Sequence, residues 1–170
     1  MPLVKGNQIV ADEFATLGDE DAVPESGNVL IPAARFLADS EAFLAREGKV
    51  GVIWPNSRDI EELAPYLQKL AAVALVFPSF RDGRAYSQSR ILRERYSYKG
   101  EVRATGQVLR DQFIFMMRAG FDAFLVKKES DAEAFANVAK RYSVFYQPAA
   151  DGRPTAFRRR MAFHTAGVSS

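Results

Sequence analysis

The sequence predicts an α/β fold in which about four consecutive strand–helix units form a mainly parallel sheet covered by helices, as an open sandwich or in a half-barrel-like form. Three observations carry this expectation. First, the apolar, β-branched runs "KVGVIWP", "AAVALVF" and "FDAFLVK", together with the shorter "GEVRATG", read as strands, and runs apolar throughout belong to sheets covered on both faces. Second, apolar residues between those runs return at helical spacing, so strand and helix alternate as in parallel sheets. Third, 170 residues with 48% hydrophobic and 12% aromatic content can bury the core of one ordinary domain.

Residues 1–30 mix Gly, Asp, Glu and Pro with brief apolar islands such as "NQIV" and "NVLI", which reads as an extended arm with short strands. The α/β domain is expected over 31–146. It opens on Phe36, Leu37, Phe43 and Leu44 at helical spacing, with Pro32 at the start and Gly48 past the end. That segment is one helix, or two short ones broken near Asp39-Ser40. After "KVGVIWP", a helical face follows at Ile60, Leu63, Ala64, Leu67 and Leu70. After "AAVALVF" comes the helix "GRAYSQSRILRERYS", and after "GEVRATG" the helix "LRDQFIFMMRAG", closed by Gly120, with Phe113, Phe115, Met116 and Met117 as core. The last helix, "SDAEAFANVAKRYS", has an N-cap candidate in Ser130 and Glu133 at capping-box spacing. Residues 147–170 read as a peripheral basic tail.

Composition removes whole classes of function. Lys plus Arg number 23 against 21 Asp plus Glu, and a net charge of +2 argues against a general nucleic-acid binder. There is no cysteine, so disulfides, thiolate metal sites, iron–sulfur clusters and a cysteine nucleophile are absent from this chain. A redox role would need a borrowed group, and a bound flavin is the route left open. The single histidine, His164, lies in the tail and argues against a Ser-His-Asp triad or a histidine-rich metal site. No segment approaches the length of an apolar membrane span, so no membrane partner and a cytoplasmic location are expected.

The stretch "VFPSFRDGRAYSQSRILRERYSYKGEVRATGQVLRDQ" concentrates seven arginines and one lysine in residues 76–112. Ligands of parallel α/β folds sit at the carboxyl ends of strands. Three loops expected there, "PNSRD", "PSFRDGR" and "TGQVLRDQ", carry Arg58-Asp59, Arg81-Asp82 and Arg110-Asp111. Arg offers a planar, permanently charged fork to carboxylate, phosphate or sulfur oxyanions. Convergence of Arg58, Arg81 and Arg103 or Arg110 on one edge is therefore expected. The structural alternative is that Asp caps a helix and Arg makes a surface pair contributing ~0–1 kcal/mol. Arg90, Arg93 and Arg95 read mainly as a solvated helix face, Trp54 as core, and Gly83 and Gly106 as turn residues without a nucleotide fingerprint.

The runs "FRDGRAYS", "EVRATG" and "DQFIFMMRAGFDAF" occur in an order that resembles the bacterial family known as domain of unknown function 934. Arg81, Asp82, Gly83, Arg84, Ser87, Arg103, Gly106, Asp111 and Gln112 match its motifs, and with Arg58 and Arg110 they form the candidate anion- or partner-binding set. The resemblance supplies no catalytic residues. Members are labelled as candidate oxidoreductases and are typically encoded beside sulfite reductase and other genes of assimilatory sulfate reduction. What it implies is an accessory of sulfite reduction with sulfite reductase as partner. The alternative is a small enzyme that binds a sulfur oxyanion or phosphorylated intermediate at the arginine-lined edge.

Overall fold

The computed structural model describes residues 1–6, 8–79 and 81–141. Its strands are β1 (Leu3–Lys5), β2 (Gln8–Val10), β3 (Phe14–Thr16), β4 (Asn28–Pro32), β5 (Val50–Trp54), β6 (Ala72–Phe77), β7 (Glu101–Gly106) and β8 (Ala123–Leu125). Its helices are α1 (Ala33–Ala38), α2 (Ser40–Ala45), α3 (Arg84–Arg90), α4 (Phe113–Arg118) and α5 (Glu129–Arg141). All eight strands join one sheet in the order β2-β1-β8-β7-β6-β5-β4-β3. Neighbours from β3 to β8 pair in parallel, whereas β1 pairs antiparallel with both β2 and β8. The sheet is thus mixed, where a mainly parallel one was expected, because a hairpin from the start of the chain is laid against β8.

Chain connectivity forces this sheet to curl. Strands β2 and β3 lie at opposite ends of the order, yet only residues 11–13 separate them. Four Cα steps reach at most about 15 Å. In a flat sheet, seven strand spacings would hold the two edges about 34 Å apart. The edges must therefore approach each other, in the manner of a half-barrel.

Strand alternation then divides side chains between the helices and a narrow interior. On the helix side, Val52, Trp54, Val73, Leu75, Phe77, Val102 and Ala104 are buried against residues that include Phe36, Leu92, Phe113 and Met116. Phe113 meets Phe124 and Phe135 at centroid distances of 4.6 and 4.4 Å. Each such ring contributes ~1.5–3 kcal/mol by leaving water. The interior side is made of small residues, Gly51, Ala72, Ala74 and Ala123, all buried. Leu30 reaches across that space, and a methyl group on Gly51 would sit 2.6 Å from Leu30 Cδ2.

One large polar side chain shares the interior. Arg103 of β7 is 1% exposed. Its Nε donates to Glu101 Oε1 at 2.7 Å, and its terminal nitrogens grip both oxygens of Asp12 at 2.7 and 3.0 Å. Lys5 closes on Glu101 Oε2 at 2.8 Å, and the Phe14 ring lies 5.5 Å from the guanidinium. Burial opposes the charge on Arg103, but Asp12 and Glu101 outweigh it and hold its pKa above the ordinary value. Since Asp12 belongs to the three residues linking the two sheet edges, this pair fastens the seam to the middle of the sheet.

Several elements differ from their expected form. The helical segment after Pro32 is indeed two short helices divided at Asp39. After β5 no α-helix forms: a 3-10 turn over Ile60–Leu63 leads into further turns. Pro65 explains this, because it lacks the amide that a helix interior requires, while Ile60, Leu63, Leu67 and Leu70 are still buried. The four expected units are therefore not all present, and β4 with α1 and α2 adds another. Helix α3 passes into a π turn over Ile91–Arg95. Ser130 lies inside α5 rather than capping it, and Phe115, expected in the core, is 68% exposed. Residues 1–30 supply β1, β2, β3 and the start of β4. The tail over 147–170, with His164, lies outside the described residues. No helix among the described residues is long and apolar enough to cross a membrane.

Two outcomes test this packing. Arg103→Gln leaves Asp12 and Glu101 without their cation, and chemical denaturation should show a loss of ~3–5 kcal/mol. Tyr98 supplies the second. Its hydroxyl donates to Leu70 O at 3.0 Å, and burial pushes its pKa above the ordinary value. The unfolded chain releases this proton near the usual ~10 while the folded chain retains it, so the contribution is complete below that pH and falls as pH rises above it. Tyr98→Phe should cost ~1 kcal/mol at neutral pH and flatten the decline in denaturation midpoint measured above pH ~10.

Candidate functional site

Strands β5, β6 and β7 are adjacent and parallel, so the loops leaving their carboxyl ends share one edge of the sheet. Arg58 lies in the first loop, Arg81, Asp82 and Gly83 in the second, with Arg84 opening α3, and Arg110, Asp111 and Gln112 in the short 3-10 turn that ends the third. The loops are tied together. Gln88 Nε2 of α3 donates to Pro55 O at 3.2 Å and to Arg58 O at 2.8 Å, and the Gln107 amide donates to Phe77 O at 2.8 Å. Tyr86 stands edge-on to Phe77 and Phe121. Burial and, secondarily, the charge of Asp111 raise its pKa.

Arg58 and Asp59, neighbours in sequence, take different partners. Arg58 Nε meets Glu62 at 3.1 Å, four residues on, and its guanidinium lies 5.6 Å from the Trp54 ring. Asp59 instead accepts the Glu61 amide at 2.9 Å and opens the 3-10 turn. Asp82 turns to Arg84, accepting its guanidinium at 2.6 Å and its amide at 3.2 Å. That guanidinium, the Arg84 amide and, more weakly, Asn56 hold the Asp82 carboxyl well below the usual range, although Asn56 Nδ2 has no well-formed hydrogen bond. The Arg81 amide reaches Ser79 Oγ at 3.3 Å. Arg81, Arg110, Ser87 and Gly83 are exposed, and Arg84 keeps 60% of its side chain in solvent.

Arg103 corrects the expected set. It is not on this edge: alternation along β7 turns it into the sheet interior, where its donors are engaged by Asp12 and Glu101. Of the three arginines expected on a solvated face, Arg90 and Arg95 are exposed, and only Arg93, in the π turn after α3, departs from it. Arg93 donates to the carbonyls of Tyr98, Gly100 and Gly120 and pairs with Asp122 at 2.8 Å, and Arg95 pairs with Glu61. Arg90 is exposed, and Trp54 is fully buried.

Sequence reasoning missed Asp12, Glu101 and Gln88. The alternation Glu101-x-Arg103 places both on one strand face and was readable in principle. Asp12, distant in the chain, left no local signal. Among the described residues no group of three or more His, Cys, Asp or Glu could hold a metal. The described clefts lie elsewhere, beside Glu13 and Glu101, beside Tyr98, and along α1 and α2.

Gly106 has a defined task in building the edge. Its φ is +85°, and a Cβ there would lie 2.4 Å from Phe77 O. Gly106→Ala should lower stability by at least ~1–2 kcal/mol from backbone strain alone. Thermal melting should register it, whereas Gly83→Ala, at φ −84° with open space around it, should melt nearly as the parent.

No curated protein matches the chain. Residues 51–157, more than half its length, match the family described as "Bacterial protein of unknown function (DUF934)". This span runs from β5 through the three arginine-bearing loops, and the chain belongs to that bacterial family.

Proposed function

We propose that the protein is a cytoplasmic accessory of assimilatory sulfite reduction that acts with sulfite reductase in electron delivery, cofactor loading or assembly. The observation carrying this reading is the shared edge, where three successive strand-end loops bring Arg58, Arg81, Arg84 and Arg110 to one side of the sheet. Exposed guanidinium groups fixed on tied loops suit a carboxylate-bearing protein surface, since charge complementarity directs encounter and orientation. Family membership supports the pathway, through the gene neighbourhood that the sequence resemblance implies. Electron delivery would require a borrowed redox group such as a flavin, whereas loading or assembly would not.

A second reading, a small enzyme that binds a sulfur oxyanion or phosphorylated intermediate at the same edge, draws on the same guanidinium groups. Co-purification with sulfite reductase from the native host favours the accessory. Turnover of such an anion by the isolated protein favours the enzyme.

Deletion of the gene should impair growth on sulfate and be relieved by sulfide or cysteine. Complementation with the double variant Arg81→Gln and Arg84→Gln should fail, because each lost charged hydrogen bond weakens binding by ~1.5–3 kcal/mol. The purified double variant should still melt within about 2 °C of the parent, as expected for surface positions. Normal growth of the deletion strain on sulfate rejects the pathway, and full complementation by the double variant rejects the edge.

A further inference from the structure

The largest of the described clefts, about 510 Å³, lies where residues 23–25 face α1 and α2. That volume falls within the roughly 300–1,000 Å³ of small-molecule sites. Its outer wall is fastened rather than loose. Arg35 of α1 donates to the carbonyls of Gly18 and Asp21 at 2.7 and 2.6 Å. Arg46, the residue after α2, donates to those of Gly27 and Pro24 at 2.6 and 2.7 Å. Four bonds at three-residue intervals thus hold the segment over 18–27 against the two helices, and the Gly18 amide, bound to Asp21 Oδ2 at 2.7 Å, tightens its start.

The cleft combines apolar surface with charge. Phe43 of α2 is buried and lies beneath the Arg35 guanidinium, 6.0 Å from ring centre to cation, while Ala42 and, across the cleft, Val23 remain exposed. A guanidinium carries five N–H donors, and Arg35 and Arg46 each give two hydrogen bonds, all to neutral carbonyls. Among the described residues neither stands within 4 Å of a carboxylate, in contrast to Arg84, Arg93, Arg95 and Arg103. Their charge and their further donors are therefore left at the cleft. The carboxylates that line it, Glu25 and Asp39, belong to exposed residues where water and salt screen them, whereas both arginines are half-buried.

We propose that this cleft binds an organic anion with an apolar body, the body between Val23 and the Ala42–Phe43 surface and the oxyanion on the guanidinium groups of Arg35 and Arg46. A planar fork already oriented by two carbonyls loses little freedom on meeting a carboxylate or sulfonate. The inference goes beyond the accessory reading and shares no residue with the arginine-bearing edge on which that reading rests.

The test titrates the full chain, labelled with ¹⁵N, with naphthalene-2-carboxylate and, in parallel, with naphthalen-2-ylmethylammonium, which offers the same ring and the opposite charge. The carboxylate should bind saturably, with its largest amide shifts at Val23, Ala42, Phe43 and Arg46, and at least about tenfold more tightly than the ammonium, the effect of one charged hydrogen bond. Because the charge is varied on the ligand, the arginines that fasten the segment stay in place. Ala42→Trp, at an exposed position of α2, should fill the cleft and weaken the carboxylate at least about tenfold. If that variant fails to fold, Ala38→Trp on α1 replaces it, and the map of the parent protein decides in either case. Equal or tighter binding of the ammonium, shifts centred on exposed Leu109 and Phe115, non-saturable binding, or unchanged affinity in a folded tryptophan variant would overturn the proposal. The growth phenotype can fail while this map stands, and the map can fail while the phenotype stands.

Discussion

The bond between Arg103 and Asp12 is the constraint on which the curled sheet depends. A guanidinium 1% exposed to solvent is stable only when its charge and donors are met, and here one carboxylate comes from its own strand and the other from the link between the two sheet edges. The bidentate grip on Asp12 suits a planar fork better than an ammonium. Because the link is only residues 11–13, holding Asp12 also holds the seam. The opening segment of the chain is thereby part of the sheet, supplying its antiparallel hairpin and its far edge strand.

The abundant arginines of residues 76–112 do different work according to where their strands and helices turn them. Arg103 fills the interior, and Arg93 binds three carbonyls that close the turns around β7 and β8. Arg95 and Arg84 pair with carboxylates at the surface, where such pairs contribute little to stability. At the carboxyl edge Arg81 and Arg110 stand where loop residues meet solvent. The amino end of the sheet interior is thus closed by paired charges, because that is where the inward positions carry large polar side chains.

Much of the secondary structure was legible. Apolar β-branched runs marked β5, β6 and β8, and helical spacing marked α1, α2, α3, α4 and α5, because alternation and periodicity are local properties of the chain. Pro65 was equally legible as a break, and the spacing of Ile60, Leu63, Leu67 and Leu70 masked it: those residues are buried on turns as they would be on a helix. Phe115 misled for a related reason. Its hydrophobicity suggested core, but with Phe113, Met116 and Met117 facing inward its position points to solvent.

By itself the sequence determined the α/β class, the strand runs, the absence of thiol chemistry and the concentration of arginine at strand ends, since each is written in composition or local pattern. Only the tertiary structure decided which arginine is internal. Position 103 faces inward or outward according to strand register, and Asp12 reaches it only because the sheet curls. It also decided that Arg58 meets Glu62 and that Asp82 meets Arg84. The partners of a charged side chain are set by what the fold brings within about 3 Å of it.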